Sequence, residues 1–406
     1  MNRIRMPLAL AILALCFAAP SHASDVGEYE DWAGQPHEPF THGEESLRMI
    51  REKLLHDYYR SDITEEDLDR AAAQGMLSFI DAKTKGWNKL VSPAEYGEIQ
   101  TDLKGELVGI GVLIDYDTVT GVVDVNGILP HSPAAAADLK EGDKILAVDG
   151  RTFKGLTLRD MTYAMRGKEG SQVHLNILRD ANVLEKTITR ARITYDPVMS
   201  MMLPDGILYL QIEAFVDTTP GGVKAALEAG LREHMRGIVV DLRDNSGGLL
   251  ERSIETAQLF VPKGKIIAQV AKRGNKVDRF TSKADPLAPN VPIAVLINGD
   301  SKSSAELMAA ALRANLSAPL IGSKTFGKWS VQSLDELPNK YVMKYTVGLL
   351  EDPSGKSYEG EGVPPDIEVP MDSKVLDRAQ REKAADGRIA ADVQLRAAYN
   401  LLRLRK

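Results

Sequence analysis

Cysteine is almost absent from this sequence of 406 residues. The one cysteine, Cys16, lies in an apolar run near the N-terminus, and the rest of the chain has none. Disulfides and thiol chemistry are therefore excluded after that run. Histidine is scarce as well, and neither an H-E-x-x-H segment nor another clustered metal-ligand spacing occurs. We expect no metal centre and no cofactor.

Positive charge is not in excess either. Lysine and arginine number 50 and aspartate and glutamate 57, which leaves a formal net charge of −7. This balance provides no general electrostatic attraction to nucleic acid, and we expect no nucleic-acid partner. The hydrophobic fraction of 44% and the length of the chain are typical of a folded protein with two or three domains.

Long apolar runs are lacking beyond the first residues. Arg3 and Arg5 precede an apolar run over residues 6–20, and the small residues Ser21 and Ala23 follow it. This order is typical of an export signal, and about 15 apolar residues are too few to span a bilayer. We predict a signal peptide at residues 1–23, with the mature protein periplasmic or otherwise exported.

The remaining sequence changes its pattern along the chain. Apolar residues at helical spacing come first, then short β-like runs between Gly-rich and Pro-rich turns, then strands that alternate with helices and end in a hairpin. The alternation predicts βαβ units and a largely parallel sheet. The predicted regions are helical at 24–103, a β domain at 104–193, an α/β core at 194–370 and a helical tail at 371–406. Within the core we predict helices at 221–233, 249–260 and 305–316, and within the tail one helix at 374–402.

Two loops of the predicted core carry polar and small residues directly after a strand. One contains D-N-S-G-G at residues 244–248, and the other contains N-G-D-S-K-S-S at residues 298–304. Loops at the carboxyl ends of neighbouring strands face one another. The glycine pair suits an oxyanion hole, although a tight turn alone would explain it. Ser303 and Glu306 match the capping box S-x-x-E, and Ser303 becomes a candidate nucleophile only with a base nearby.

Lys328 is the candidate base. No histidine lies near either loop in sequence, although a Ser-His-Asp triad stays open because its members meet only in space. Lys328 has the apolar neighbours Phe326 and Trp329, and burial among such groups lowers a lysine pKa towards that of a general base. Gln332 is close enough to orient the amine. The alternative is an exposed lysine at a strand edge.

A phosphate-binding loop is a further interpretation of residues 322–328, which fit G-x-x-x-x-G-K. That loop needs Ser or Thr after the lysine and a helix beginning there. Trp329 stands in the hydroxyl position, and the residues after it are strand-like. The sequence therefore disfavours nucleotide binding.

Taken together, these segments resemble the carboxyl-terminal processing peptidases, also called tail-specific proteases. G-I-G-V-L-I from Gly109 and S-P-A-A-A-A-D-L-K-E-G-D-K-I-L-A-V-D-G from Ser132 are similar to a PDZ domain. D-L-R-D-N-S-G-G, N-G-D-S-K-S-S-A-E, K-T-F-G-K-W-S-V-Q and G-E-G-V-P-P-D-I-E-V are similar to four segments of the peptidase core. The resemblance implies an N-terminal helical region, a PDZ β-domain, an α/β core of the ClpP/crotonase-like type and a C-terminal helix.

The resemblance also implies roles for individual residues. The catalytic residues would be the nucleophile Ser303, the base Lys328 and its orienting partner Gln332. The oxyanion would be held by backbone amides of Gly247 or Gly248 and of Ser304. The carboxylate of a bound peptide would be held by the PDZ residues Gly109, Ile110, Gly111 and Val112.

The implied function is an exported serine endopeptidase that cleaves proteins near accessible C-termini. We also expect a homo-oligomer, and an adaptor protein and peripheral association with a membrane are compatible with the family.

Several residues depart from the family pattern: Asp300, Lys302, the order Ser304-Ala305, Trp329, and F-I-D-A-K-T-K-G-W-N-K-L from Phe79 in place of L-D-P-Y-S. The indole of Trp329 would narrow substrate access or help to desolvate Lys328, and the charge of Lys302, if close, would disfavour protonation of Lys328. The alternative function is a catalytically inactive PDZ-containing scaffold that binds C-terminal tails.

Overall fold

The computed structural model describes residues 12–14, 40–81, 87–116, 121–154, 164–194, 196–380, 382 and 384–404. The chain divides into two compact units. The large unit comprises Met1–Tyr96, Val198–Phe215 and Thr219–Lys406, and the small unit comprises Gly97–Pro197 and Val216–Thr218. The predicted signal peptide lies outside the described residues except for the short strand β1 (Ile12–Ala14).

The N-terminal segment is helical only in part. Helices α1 (Gly43–His56) and α2 (Glu65–Asp81) bury no residue fully. Strand β2 (Lys89–Val91) then precedes helix α3 (Pro93–Leu103). The sequence did not predict β2, because three residues are too few for a periodic pattern and a distant strand supplies the hydrogen bonds.

The small unit is built on antiparallel strands. In chain order its elements are β3 (Glu106–Gly109), β4 (Val112–Tyr116), β5 (Val123–Ile128), α4 (Pro133–Ala136), β6 (Lys144–Val148), β7 (Gln172–Arg179), β8 (Asn182–Thr189) and β9 (Ala191–Thr194). Strands β4 to β8 form one sheet in that order, and β3 pairs with β9. Alternate residues of β7, namely Val173, Leu175 and Ile177, are fully buried in the core, as expected for a sheet with one buried face.

The large unit continues with alternating strands and helices. In chain order these are β10 (Val198–Leu203), β11 (Ile207–Ile212), α5 (Thr219–Arg232), β12 (Gly237–Asp241), β13 (Gly248–Leu249), α6 (Leu250–Gln258), β14 (Ile266–Lys272), β15 (Lys276–Thr281), β16 (Ile293–Ile297), α7 (Ser304–Leu316), β17 (Leu320–Gly322), β18 (Ser330–Glu336), β19 (Val342–Glu351) and β20 (Ile367–Glu368). The three predicted core helices correspond to α5, α6 and α7.

A largely parallel sheet carries the core of the large unit. Its order is β10, β11, β12, β16, β17 and β20, and all pairs are parallel except β10 with β11. Strands β12 and β16 are neighbours, and every residue of both is buried. The predicted α/β class is therefore confirmed, and the two polar loops leave the same edge of this sheet.

A second sheet carries the segment that contains Lys328. Its order is β13, β1, β18, β19, β14 and β15, and β2 pairs with β19. The predicted hairpin corresponds to β18 and β19, which pair antiparallel. Strand β2 extends this sheet by pairing Val91 with Val342. Strand β2 of the N-terminal segment therefore belongs to the same sheet as β18, the strand that follows Lys328.

The C-terminal tail contains three helices where the sequence predicts one. They are α8 (Ser373–Gln380), α9 (Ala385–Ala391) and α10 (Val393–Leu404). The prediction of a single helix was wrong at Asp392, whose backbone is extended with φ −102° and ψ 103°. The Asp392 carboxylate accepts hydrogen bonds from the backbone N–H groups of Gln394 and Leu395, so it caps α10 instead of continuing α9.

Asp392 also pairs with a buried arginine next to the first polar loop. Arg243 donates to Asp392 Oδ2 at 2.7 Å and to Asp241 Oδ2 at 2.6 Å, and all three side chains are buried. Burial alone would lower the pKa of Arg243, but the two carboxylates hold it well above its ordinary value. This ion pair joins the C-terminal tail to the end of β12.

We expect Asp392→Asn to destabilise the large unit by about 2 kcal/mol, because it removes one of two charges that compensate a buried guanidinium. Urea unfolding measures the change. Asp386→Asn, an exposed position on α9, is the matched control and should change the stability by less than about 0.5 kcal/mol. Equal stabilities of the two variants would contradict the assignment of this pair.

Among the residues that the structure describes, no helix combines the length and the apolar character needed to cross a membrane.

Candidate active site

The two polar loops meet at the edge of the parallel sheet. Asp244 N–H donates to Asn298 Oδ1 at 3.0 Å, and Asn298 Nδ2 donates to Asp244 Oδ1 at 2.7 Å. Lys302 N–H donates to the carbonyl of Asn245 at 2.9 Å. The loops after β12 and β16 are therefore joined side by side, as the strand order implies.

Three serines of the second loop have different surroundings. The Ser301 hydroxyl donates to the carbonyl of Leu242 at 2.8 Å, and the Ser304 hydroxyl donates to the carbonyl of Gly248 at 3.2 Å. The Ser303 hydroxyl is buried and has no hydrogen-bond partner among the described residues. Ser303 is therefore the serine of this loop whose Oγ is not engaged by the fold.

The backbone of Ser303 is in an unusual conformation. Its φ is 56° and its ψ is −115°, immediately before α7. Such a conformation is costly for a residue with a side chain and clusters at functional sites. Glu306 Oε2 accepts the Ser303 N–H at 2.8 Å, whereas the Ser303 hydroxyl has no hydrogen-bond partner among the described residues. The hydroxyl is thus not used as a helix cap.

Gly247 and Gly248 pack directly against Ser303 and Phe215. A Cβ on Gly247 would lie 3.0 Å from the Cβ of Ser303, and a Cβ on Gly248 would lie 2.3 Å from the carbonyl oxygen of Phe215. Their φ angles of 100° and 138° also favour glycine. The Gly247 N–H donates to Asn245 Oδ1 at 2.8 Å, so of the two amides that of Gly248 is the better candidate for an oxyanion donor.

Ser304 is the first residue of α7. The N–H groups of the first helical turn have no partner within the helix and are suited to bind an anion. A Cβ on Gly247 would approach the Ser304 nitrogen to 3.3 Å, which places the glycine loop and this helix N-terminus in contact. The predicted oxyanion residues therefore surround Ser303.

Lys328 is fully buried just before β18. Its Nζ lies 4.6 Å from the centroid of the Trp87 ring, which belongs to the N-terminal segment. Gln332 donates through Nε2 to Ser330 at 3.0 Å and to Thr346 at 3.4 Å. Gln332 Oε1 is buried with no hydrogen-bond partner among the described residues, so the predicted hydrogen bond from Lys328 is not formed in this structure.

Glu306 connects the two halves of the site, which are the loop with Ser303 and the segment with Lys328. Its Oε1 accepts from the Thr325 hydroxyl at 2.5 Å and from Gly327 N–H at 2.8 Å. Its Oε2 accepts from Ser303 N–H at 2.8 Å and from Lys328 N–H at 2.9 Å. One buried carboxylate thus holds the backbones of Ser303 and Lys328. Burial raises the pKa of Glu306 above its ordinary value, and the four donors oppose that rise.

The sequence predicts only a capping box for Glu306. Its contact with the Lys328 backbone is not predictable from a local pattern, because the donors near Lys328 become neighbours through tertiary folding alone. The S-x-x-E spacing was the one available signal, and it reports the contact with Ser303 but not the contact with Lys328.

Trp329 directly follows Lys328 in the chain. Its side chain is fully buried in the hydrophobic core of the large unit, and its ring centroid lies 5.0 Å from that of Tyr358. The Lys328 amine lies over the indole ring of Trp87. Lys302 is directed to Asp300, with its Nζ 3.0 Å from Oδ1.

The small unit contains the predicted peptide-binding residues at one sheet edge. Gly109 ends β3 and Val112 begins β4, with Ile110 and Gly111 between them. Gly111 has φ 82°, and a Cβ there would collide with Ser132. Strand β4 lies at the edge of its sheet within the described residues. That edge suits the addition of an extended peptide.

Comparison with known proteins agrees with this architecture. The profile of peptidase family S41 matches residues 206–369, and that of the PDZ domain matches residues 98–178. The carboxyl-terminal-processing protease of Synechocystis sp. is 31% identical over 373 residues, covering 90% of this chain and 82% of that protein. The chain belongs to the carboxyl-terminal-processing protease family. It is a serine-type peptidase with a PDZ domain.

Other family members support the same assignment. The carboxy-terminal-processing protease of Bartonella bacilliformis is 31% identical over 369 residues, which cover 84% of this chain and 83% of that protein. Carboxy-terminal processing protease CtpA of Bacillus subtilis is 30% identical over 348 residues, with coverage of 84% and 73%.

Two solved structures share the fold of this family member. The photosystem II D1 C-terminal processing protease aligns with a TM-score of 0.52 at 23% identity, covering 89% of this chain and 97% of that one. A putative S41 protease from Bacteroides fragilis aligns with a TM-score of 0.57 at 18% identity, covering 91% and 98%. At these sequence identities the similarity shows a shared fold alone.

Proposed function

We propose that the chain is an exported endopeptidase that cleaves protein substrates near their C-termini with a Ser303–Lys328 dyad. One observation carries the proposal. The Ser303 hydroxyl is buried and not engaged by the fold, and a single carboxylate, that of Glu306, holds the backbones of both Ser303 and Lys328. The names of the relatives supply the expectation of cleavage near C-termini.

Lys328 acts as the general base in this mechanism. The neutral amine takes the Ser303 proton while Oγ attacks the peptide carbonyl, and the resulting ammonium protonates the leaving amine. Water then hydrolyses the acyl-enzyme, with Lys328 as base again. Full burial of the side chain supports this role, because it disfavours the charged form of the resting amine.

Backbone amides stabilise the tetrahedral intermediate. We assign the oxyanion to the N–H groups of Gly248 and Ser304, because Gly247 N–H is already bound to Asn245. Donors of this kind act without reorganisation in a site that excludes water.

An extended peptide suits the space between the two halves of the site. Strand β1 pairs antiparallel with Gly248 and Leu249 on one side and with Gln332 and Ser333 on the other. A substrate that takes the same course would run past the glycine loop as an added strand. Gln332 Oε1, which has no partner among the described residues, would then accept a hydrogen bond from Lys328 or from the substrate.

The small unit is proposed to engage substrate C-termini. The carboxylate would bind the amides of residues 109–112, and the peptide would extend along β4. Export rests on the predicted signal peptide. A homo-oligomer, an adaptor protein and peripheral association with a membrane stay predictions.

Covalent labelling separates the peptidase from an inactive scaffold. We expect a serine-reactive phosphonofluoridate probe to label the chain at Ser303 with about one probe per chain, because the base activates this hydroxyl. Mass spectrometry of the labelled peptide identifies the site. Lys328→Ala should lower the labelling rate by about 100-fold or more.

Two outcomes would count against the proposal. Labelling at Ser301 or Ser304 would contradict the assignment of the nucleophile, and equal labelling of wild type and Lys328→Ala would contradict the base. Binding of C-terminal peptides without labelling or hydrolysis would favour the scaffold.

A further inference from the structure

We propose that Trp87 is a positioning residue for the reaction, which covers the amine of Lys328 and keeps water away from it. This inference rests on the proposed function of Lys328. The Lys328 Nζ lies 4.6 Å from the Trp87 ring centroid, within the range of direct contact between an amine and an aromatic face. Lys328 has no exposed surface, and the ring of Trp87 lies against its amine.

The residues after Trp87 hold it in place. Asn88 N–H donates to Asp81 Oδ1 at 2.8 Å, and Asn88 Oδ1 accepts the N–H of Thr346 at 2.8 Å. The next three residues form β2, which pairs with β19. Because β19 is also the partner of β18, Trp87 is attached to the sheet that follows Lys328.

A second aromatic side chain supports the indole. The Phe326 ring lies 6.5 Å from that of Trp87 at an interplanar angle of 69°, an edge-to-face arrangement. Phe326 is close to Lys328 in sequence, and the Lys302 amine lies 4.7 Å from the Phe326 centroid. The two rings therefore form a continuous aromatic cover between the N-terminal segment and the loop of the nucleophile.

The cover has two opposing effects on the amine. An aromatic face attracts an ammonium group and favours the charged form by about tenfold. Exclusion of water disfavours the charged form by about 1,000-fold or more in deeply buried lysines. The second effect is larger, so the net effect of Trp87 is to favour the neutral amine that a general base requires.

Charged groups lie on the elements that carry Lys328, Trp87 and Phe326. Glu306 on α7 accepts the Lys328 N–H, and Glu359 accepts the N–H of Trp329. Lys302 lies before α7, and Asp81 and Lys344 lie on the segments that hold β2. Substitution of Trp87 leaves all of these charged groups in the chain. A change in the titration midpoint of Lys328 would therefore be due to the loss of the indole.

The pH dependence of hydrolysis tests the inference. We expect Trp87→Ala to lower kcat/KM for an unstructured protein substrate by about tenfold at pH 7 and to recover most of the activity near pH 10. KM should change by less than about twofold. Trp87→Phe keeps an aromatic face and should stay within about threefold of wild type at every pH. An equal loss at every pH in Trp87→Ala would overturn the inference.

The titration of the Lys328 amine can also be measured directly, in a protein that has no hydrolytic activity. In a Ser303→Ala background, competitive acetylation with acetic anhydride from about pH 5 to pH 11 gives the labelling midpoint of Lys328 by mass spectrometry. The midpoint should move to higher pH when Trp87 is alanine. An unchanged or lower midpoint would refute the role of Trp87. This readout also separates Lys328 from Glu306, whose titration would alter the activity profile.

The control is a second aromatic residue of the N-terminal segment. Tyr59 is 84% exposed, and Tyr59→Ala should leave both the activity profile and the labelling midpoint unchanged. If the wild-type protein fails to hydrolyse protein while the Lys328 midpoint still depends on Trp87, the proposed function fails and the structural role of Trp87 stands.

Discussion

Ser303→Ala is expected to abolish hydrolysis of an unstructured protein, with a loss of at least about 10⁴-fold in kcat, while the fold stays intact. The loss is large because a member of a nucleophile–base unit cannot be replaced by the remaining groups. The fold should survive because the Ser303 hydroxyl makes no hydrogen bond to the described residues. Product formation followed by mass spectrometry and thermal unfolding measure the two effects.

The neighbouring serine is the matched control for this prediction. Ser304→Ala keeps the backbone amide and loses only the hydrogen bond from its hydroxyl to the carbonyl of Gly248. We expect it to retain activity within about tenfold of wild type and to be destabilised by about 1 kcal/mol. Near-normal activity of Ser303→Ala together with an inactive Ser304→Ala would mean that Ser304, and not Ser303, is the nucleophile.

Glu306→Gln is expected to lower activity by about 100-fold or more and stability by about 3 kcal/mol. Each carboxylate oxygen of Glu306 accepts two hydrogen bonds, so an amide NH2 in place of either oxygen would face two donors. Buried donors that lose a charged acceptor are costly, and the backbones of Ser303 and Lys328 would no longer share an anchor. Urea unfolding and hydrolysis rates give the two values.

A surface glutamate provides the comparison. Glu255→Gln on α6 removes only an exposed pair with Arg252 and should change stability by less than about 0.5 kcal/mol without affecting hydrolysis. Should Glu306→Gln behave like Glu255→Gln, the carboxylate would not be the link between the two halves of the site.

Much of the fold could be predicted because its signals are local. The helices α5, α6 and α7 and the hairpin of β18 and β19 follow from periodicity and turn residues over short windows. Strand β2 and the break at Asp392 were not predicted. Both depend on distant partners, the first on β19 and the second on the buried charge of Arg243.

The residues of the candidate site also divide into those that the sequence predicts and those that only the structure shows. Ser303, Lys328, the glycine pair and Ser304 were identified from short segments that resemble a family, and the structure brings the two polar loops together. Trp87 and the second role of Glu306 were missed. In both cases the contact joins segments that are far apart in the chain, which no short motif describes.

The sequence by itself determined the family, the order of the domains and the residue types at the site, because these depend on motifs and on local hydrophobic patterns. Only the tertiary structure decided which serine has an unengaged hydroxyl, which glycine amide remains for an oxyanion and which indole covers Lys328. The physical reason is that hydrogen-bond satisfaction and exclusion of water depend on every group packed around an atom. Most of those groups come from other parts of the chain.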